Sequence, residues 1–71
     1  MEKFLDKLSD ILEVDLLLPT QDMKQLDLWD SLTVLSILAY IDEEFGVSVE
    51  APELADIRTP TELFSLVQSK L

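Results

Sequence analysis

The chain has no cysteine and no histidine. Without cysteine there is no disulfide framework, no zinc–thiolate cluster and no thiol nucleophile. Without histidine, the usual general base at neutral pH and the commonest metal ligand are both missing. Carboxylates alone can do acid–base work, but these two absences weigh against most enzyme classes. No D-x-D-x-D-G loop is present, so no calcium site of the EF-hand type is expected, and no other metal site. Basic residues are also scarce: five against fifteen acids, a net charge of −10. That charge repels nucleic-acid phosphates and anionic membrane surfaces. It suits a basic protein surface, whose approach its field would steer. The longest apolar run is only Ile37 to Ile41, far short of a membrane span. The opening MEKFLDKLSD has acids where a signal peptide needs an apolar stretch. A cytoplasmic protein without membrane insertion is expected.

What is present is a sequence that folds. Apolar residues make up 48% of the chain, too many for an acidic disordered tail. Its 71 residues suit one domain, residues 1–71, with a modest core. Phe4, Leu5, Leu8, Ile11 and Leu12 recur at helical spacing and predict an amphipathic helix from Glu2 to about Val14. A long connection follows, VDLLLPTQDMKQLDLWD, in which neither helical nor strand periodicity persists. Leu16, Leu17, Leu18, Leu26 and Leu28 are expected to pack it on the core. Connections this long tend to be functional. A second helix is predicted from Ser31 or Leu32 to near Phe45, with Asp30 as N-cap and the single glycine, Gly46, as left-handed terminus. Pro52 marks a further short helical turn. Thr59-Pro60-Thr61-Glu62 combines an N-cap, a first-turn proline and a capping-box glutamate, and so opens a last helix buried through Leu63, Leu66 and Val67. The fold class is all-α: three main helices and a short third one in a small four-helix bundle.

The second helix has more apolar residues than one buried face needs. On a wheel, Val34, Ile37, Leu38, Ile41 and Phe45 form the core stripe. Leu32, Leu35 and Ala39 cluster near the opposite side. Either the long loop folds over them or they form an exposed patch for a partner. Asp42, Glu43 and Glu44 follow at the helix C-terminus, where acids oppose the macrodipole. They are either a solvated face or docking charges for a basic partner.

Ser31 is equally two-sided. Asp-Ser-Leu at a helix start is a common capping arrangement. As an enzyme nucleophile Ser31 is poor, since no histidine exists to activate it. Its place does suit a phosphate ester, because a helix N-terminus offers N–H donors and positive dipole, although Asp27 and Asp30 would repel one.

The segment WDSLTVLSILAYIDEEFGV resembles the central region of acyl carrier proteins, the phosphopantetheine-binding carriers. The resemblance extends to the order of elements along essentially the whole chain, and to the gapless spacing from Asp30-Ser31-Leu32 to Asp42-Glu43-Glu44-Phe45. It implies that Ser31 carries 4′-phosphopantetheine, transferred from coenzyme A by a separate phosphopantetheinyl transferase, with Asp30 and Leu32 flanking the attachment point. Acyl or aminoacyl cargo would be held as a thioester on the arm's thiol, so the cofactor would bring the sulfur that the chain lacks. Leu32, Leu35, Ala39, Asp42, Glu43 and Glu44 would face partners: a loading ligase and a downstream acyltransferase or synthase with basic docking surfaces. The chain itself would be a monomer and not an enzyme, with no catalytic residue of its own. In the family, long acyl chains enter the bundle, and Ile37, Leu38, Ile41 and Phe45 would line such a space.

Asp27-Leu28-Trp29 stands where fatty-acid-synthesis members usually have a glycine, and Thr33 and Ser36 stand where they tend to have acids. Trp-Asp-Ser-Leu looks more like the free-standing carriers of lipid, secondary-metabolite or cell-surface pathways. Asp56-Ile57-Arg58-Thr59-Pro60 resembles D-alanyl carrier proteins, which load an amino acid. Trp29 would cover the base of the arm or pack in the loop. The competing reading is an unmodified acidic adaptor of the same fold that binds a basic partner through helix two.

Overall fold

The computed structural model describes residues 2–71. Four α-helices make up the framework: α1 (Glu2–Leu12), α2 (Ser31–Phe45), α3 (Ala51–Leu54) and α4 (Pro60–Lys70), with one 3₁₀ turn at Met23–Gln25 inside the long connection. There is no β-strand among the described residues, and no helix is long and apolar enough to cross a membrane. The architecture is the small helical bundle the sequence predicts.

The core is built from one stripe of each helix. Phe4, Leu8 and Leu12 come from α1, Ile37 and Ile41 from α2, Leu54 from α3, and Leu63 and Val67 from α4. Met23, Leu17 and Val49 enter from the connections. At one end of the bundle Phe4 packs against Phe64, Phe45 and Tyr40, with ring centroids 5.1, 5.9 and 6.1 Å away. The tilted and edge-on contacts are those aromatic quadrupoles favour.

α1 ends two residues before the position periodicity predicts. Val14 N–H donates to Ser9 O at 3.0 Å and Glu13 N–H to Asp10 O at 3.2 Å. This is a Schellman termination, with Glu13 in the left-handed region at φ 55°. Apolar spacing continues through Val14, so the pattern suggests a longer helix than the hydrogen bonds allow. Gly46, at φ 68°, closes α2 as expected and donates to Asp42 O.

Only part of the long connection packs inward. Leu17 is buried and Leu26 and Leu28 are half-buried, but Leu16 and Leu18 point outward. Leu17 alone of the three takes the inward position, and its two neighbours are left facing solvent. The connection is fastened to the α3–α4 loop. Met23 N–H donates to Arg58 O at 2.7 Å. Pro19 O accepts from both the Thr61 N–H and the Thr61 hydroxyl. Arg58 pairs with Asp22 at 3.2 Å, and the Lys24 ammonium donates to Ala55 O.

α4 begins with the predicted capping box. Thr59 Oγ1 accepts from Glu62 N–H, and the Glu62 carboxylate accepts from the N–H groups of Arg58 and Thr59. Those amides hold the Glu62 carboxyl below its ordinary range, Arg58 contributing most.

The uneven packing of the connection sets two expectations for stability. Met23→Ala should lower it by ~2–5 kcal/mol in denaturant unfolding, the range for emptying a fully buried site, whereas Leu16→Ala should stay within ~0.5 kcal/mol. Added sodium chloride should raise the melting temperature, because salt screens the self-repulsion of a −10 chain. A flat or falling response would show that the ion pairs outweigh that repulsion.

Candidate functional site at the start of α2

The fastened loop delivers the chain to α2 through two tight turns: Leu26 N–H donates to Met23 O and Trp29 N–H to Leu26 O, both at 3.1 Å. Asp30 follows in extended conformation. Its Oδ1 accepts from Thr33 N–H at 2.9 Å, and its carbonyl accepts the first helical bond from Val34 N–H at 2.9 Å. The cap of α2 is therefore Asp30, and Ser31 is the first helical residue. The Thr33 amide, with a smaller part from Leu32, holds the Asp30 carboxyl below its ordinary range.

Because Asp30 does the capping, the exposed Ser31 hydroxyl is not needed for it. Ser31 stands at the positive end of the α2 dipole, which favours a phosphate ester there. Beside it lies a concavity of about 400 Å³, lined by Trp29, Asp30, Ser31, Val34, Leu35 and Ala51. Its walls are mainly apolar, and Trp29 is half-buried in one of them. An open hydroxyl, a helix N-terminus and an adjoining hollow fit a phosphate-linked arm. With no histidine in the sequence, Ser31 has no resident base of the usual kind.

Leu32 and Leu35 are 76% and 59% exposed, and Ala39 is exposed as well. The long loop does not cover them. Asp42, Glu43 and Glu44 are also exposed. At roughly 100° per residue, Leu32, Leu35, Ala39, Asp42 and Glu43 share an arc of about 100° on the side opposite Ile37 and Ile41. The arc runs from Leu32 to Glu43 over about 16 Å of helix. Glu44 does not join it. It borders, with Lys7 and Tyr40, the cleft toward α1 that Ala39 and Glu43 also reach, and its charge, after burial, helps raise the Tyr40 hydroxyl above its ordinary range. Ile37 and Ile41, expected to line a space for cargo, are fully enclosed by neighbouring side chains.

Two walls of the hollow beside Ser31 do not follow from sequence reasoning. Helical spacing assigns Val34 to the core alone, and it serves both. Ala51 comes from α3, and nothing in the sequence brings that short helix alongside the start of α2.

The cap makes a prediction about pH. A depressed carboxyl contributes stability above its unfolded-state value and loses it as pH falls through the folded-state value. Asp30→Ala should melt at lower temperature than the parent at neutral pH, and the gap should close on acidification. The gap between Asp30→Asn and the parent should be small at neutral pH, since asparagine also caps.

A family model described as phosphopantetheine attachment site matches residues 2–67. A search of curated proteins returned no match. Members of the family hold 4′-phosphopantetheine covalently and work with a phosphopantetheinyl transferase and synthase enzymes. The match takes in all four helices, α4 as far as residue 67, and the whole of the site, so the chain belongs to the phosphopantetheine attachment site family and is a carrier protein.

Proposed function

We propose that Ser31 is the attachment residue, and that the chain is a discrete, monomeric, cytoplasmic carrier, a single carrier domain over residues 1–71, that shuttles acyl or aminoacyl cargo between enzymes without catalysing a reaction. The observation that carries this reading is the division of labour at the head of α2. Asp30 caps the helix through the 2.9 Å bond to Thr33, which frees an exposed serine at the positive helix end for a phosphodiester.

When bound, the group supplies a thiol at the tip of a flexible arm, on which cargo is carried as a thioester. The chain's own contribution is positional. The α2 terminus holds the phosphate end through backbone dipoles. Trp29, Val34, Leu35 and Ala51 offer an apolar wall next to it. Leu32, Leu35 and Ala39, continuing into Asp42 and Glu43, form a ribbon with an apolar centre and an acidic end. A partner with a basic, grooved surface matches that ribbon in charge and shape. Glu44, displaced toward α1, would contribute at most to its edge. The transferase, the loading ligase and the downstream acyltransferase or synthase would all approach this face. Trp-Asp-Ser-Leu favours a specialised carrier of a lipid, secondary-metabolite or cell-surface pathway over one serving fatty-acid synthesis. Asp56 to Pro60 leaves a D-alanyl or other aminoacyl cargo as the second reading.

The test is an intact mass after incubation with coenzyme A and a broad-specificity phosphopantetheinyl transferase. The parent should gain one phosphopantetheine, and Ser31→Ala should gain none while keeping its helical spectrum. Folded parent that gains nothing from several transferases would make the unmodified acidic adaptor the better account. In that event, charge reversal at Asp42 and Glu43 should still weaken binding to a basic partner.

A further inference from the structure

Of the large apolar side chains that stand out in solvent, Leu32 and Leu35 belong to the α2 ribbon. A second pair does not: Leu16, 73% exposed, and Leu18, 49% exposed, in the loop after α1. Between them Leu17 is only 3% exposed and anchors the segment to the core. The outward pair is therefore held by an inward anchor, and its position on the surface is defined. On the Leu16 side of the pair, the loop and α1 border an open hollow of about 300 Å³, with Leu5, Leu16 and Leu17 in its walls and Glu2, Asp6 and Asp15 around it. Among the described residues, no basic side chain lines this hollow and none of its three acids is in an ion pair.

The hollow also lies away from the ribbon. At roughly 100° per residue, Leu5, Asp6 and Ser9 occupy one flank of α1, while Lys7 and Ile11 occupy the other. The second flank faces α2, where Lys7 and Ile11 share a cleft with Ala39 and Glu43. A protein seated on the α2 ribbon leaves the Leu16–Leu18 side open.

We propose that Leu16, Leu18 and the adjoining acid-rimmed hollow form a second docking surface, for a basic partner protein that inserts an apolar side chain between positive charges. Charge decides the occupant. A second copy of the chain would bring its own −10 charge and the same acidic rim, which opposes self-association. A basic face with an apolar projection satisfies both the exposed leucines and the acidic rim. The surface would let the protein be held by one partner while the start of α2 is presented to another.

The test uses the unmodified full chain, so it is independent of what happens at Ser31. The probe is an amphipathic helical peptide of leucine and lysine, followed by amide chemical shifts. Saturable shifts are expected at Leu5–Ser9 and Asp15–Leu18, separate from those along α2. Leu16→Ser with Leu18→Ser leaves every charge in place and alters only exposed side chains. It should weaken the first set by about tenfold and leave the α2 set unchanged. Shifts confined to α2, or spread over all acidic residues and indifferent to the double substitution, would overturn the proposal. So would concentration-dependent shifts at Leu16–Leu18 without peptide, which would make the face a self-contact.

Discussion

The structure depends on how a long irregular connection is kept in one place. The Met23 side chain is fully buried, and its N–H is bonded to the Arg58 carbonyl. The Pro19 carbonyl, accepting twice from Thr61, adds a second fastening upstream. A connection of this length would otherwise be mobile, since loops lack the repeating hydrogen bonds that fix helices. Two of the chain's five basic residues are engaged at this fastening, Lys24 with Ala55 and Arg58 with Asp22, and a third, Lys70, ties the end of α4 to Glu53 of α3. In so acidic a protein, cations are placed where they hold connections and helix ends together. The result is that the turns at Leu26 and Trp29 feed α2 from a fixed point, and Ser31 inherits that fixity.

From that point α2 serves two purposes with one sequence. Ile37 and Ile41 bury one side, and Val34, Leu38 and Phe45 extend the packing. The other side carries Leu32, Leu35 and Ala39 into solvent and ends in acids. A helix that is apolar on most of its circumference is normally enclosed by protein. Here it is half enclosed, and the acids at its C-terminus oppose the dipole without any basic residue in the last turn. Both features cost stability, and they lie on the face we propose for docking. The cap follows the same logic, because Asp30 does for the helix what Ser31 would otherwise do, and the serine is released.

Much of this is legible in the sequence because each signal has one physical meaning. Thr59-Pro60-Thr61-Glu62 could hardly be anything but a helix start, and Gly46 sits where a left-handed residue is required. The surplus leucines of α2 can be counted off a helical wheel from the residue order alone. Where the sequence misleads, two signals overlap. Val14 continues the apolar spacing of α1, but a glutamate in left-handed conformation ends the helix first, a role usually given to glycine. The three leucines at 16–18 read as core by composition, yet only Leu17 is inside and its neighbours face solvent. The wall that Ala51 gives the hollow beside Ser31 depends on the packing of α3 against α2, a long-range contact that local patterns do not encode.

Several serines are exposed with a free hydroxyl, but Ser31 alone among them begins a long helix, and it is there that we place the phosphopantetheine ester. Ser36 tests this well, because it is also exposed and lies on the same helix. The most direct measurement is fragment mapping by tandem mass spectrometry of protein modified with phosphopantetheine. The whole added mass is expected on Ser31. Mass on Ser36 or on any serine outside α2 would contradict it, and would separate the attachment chemistry from the helix terminus on which the reading rests.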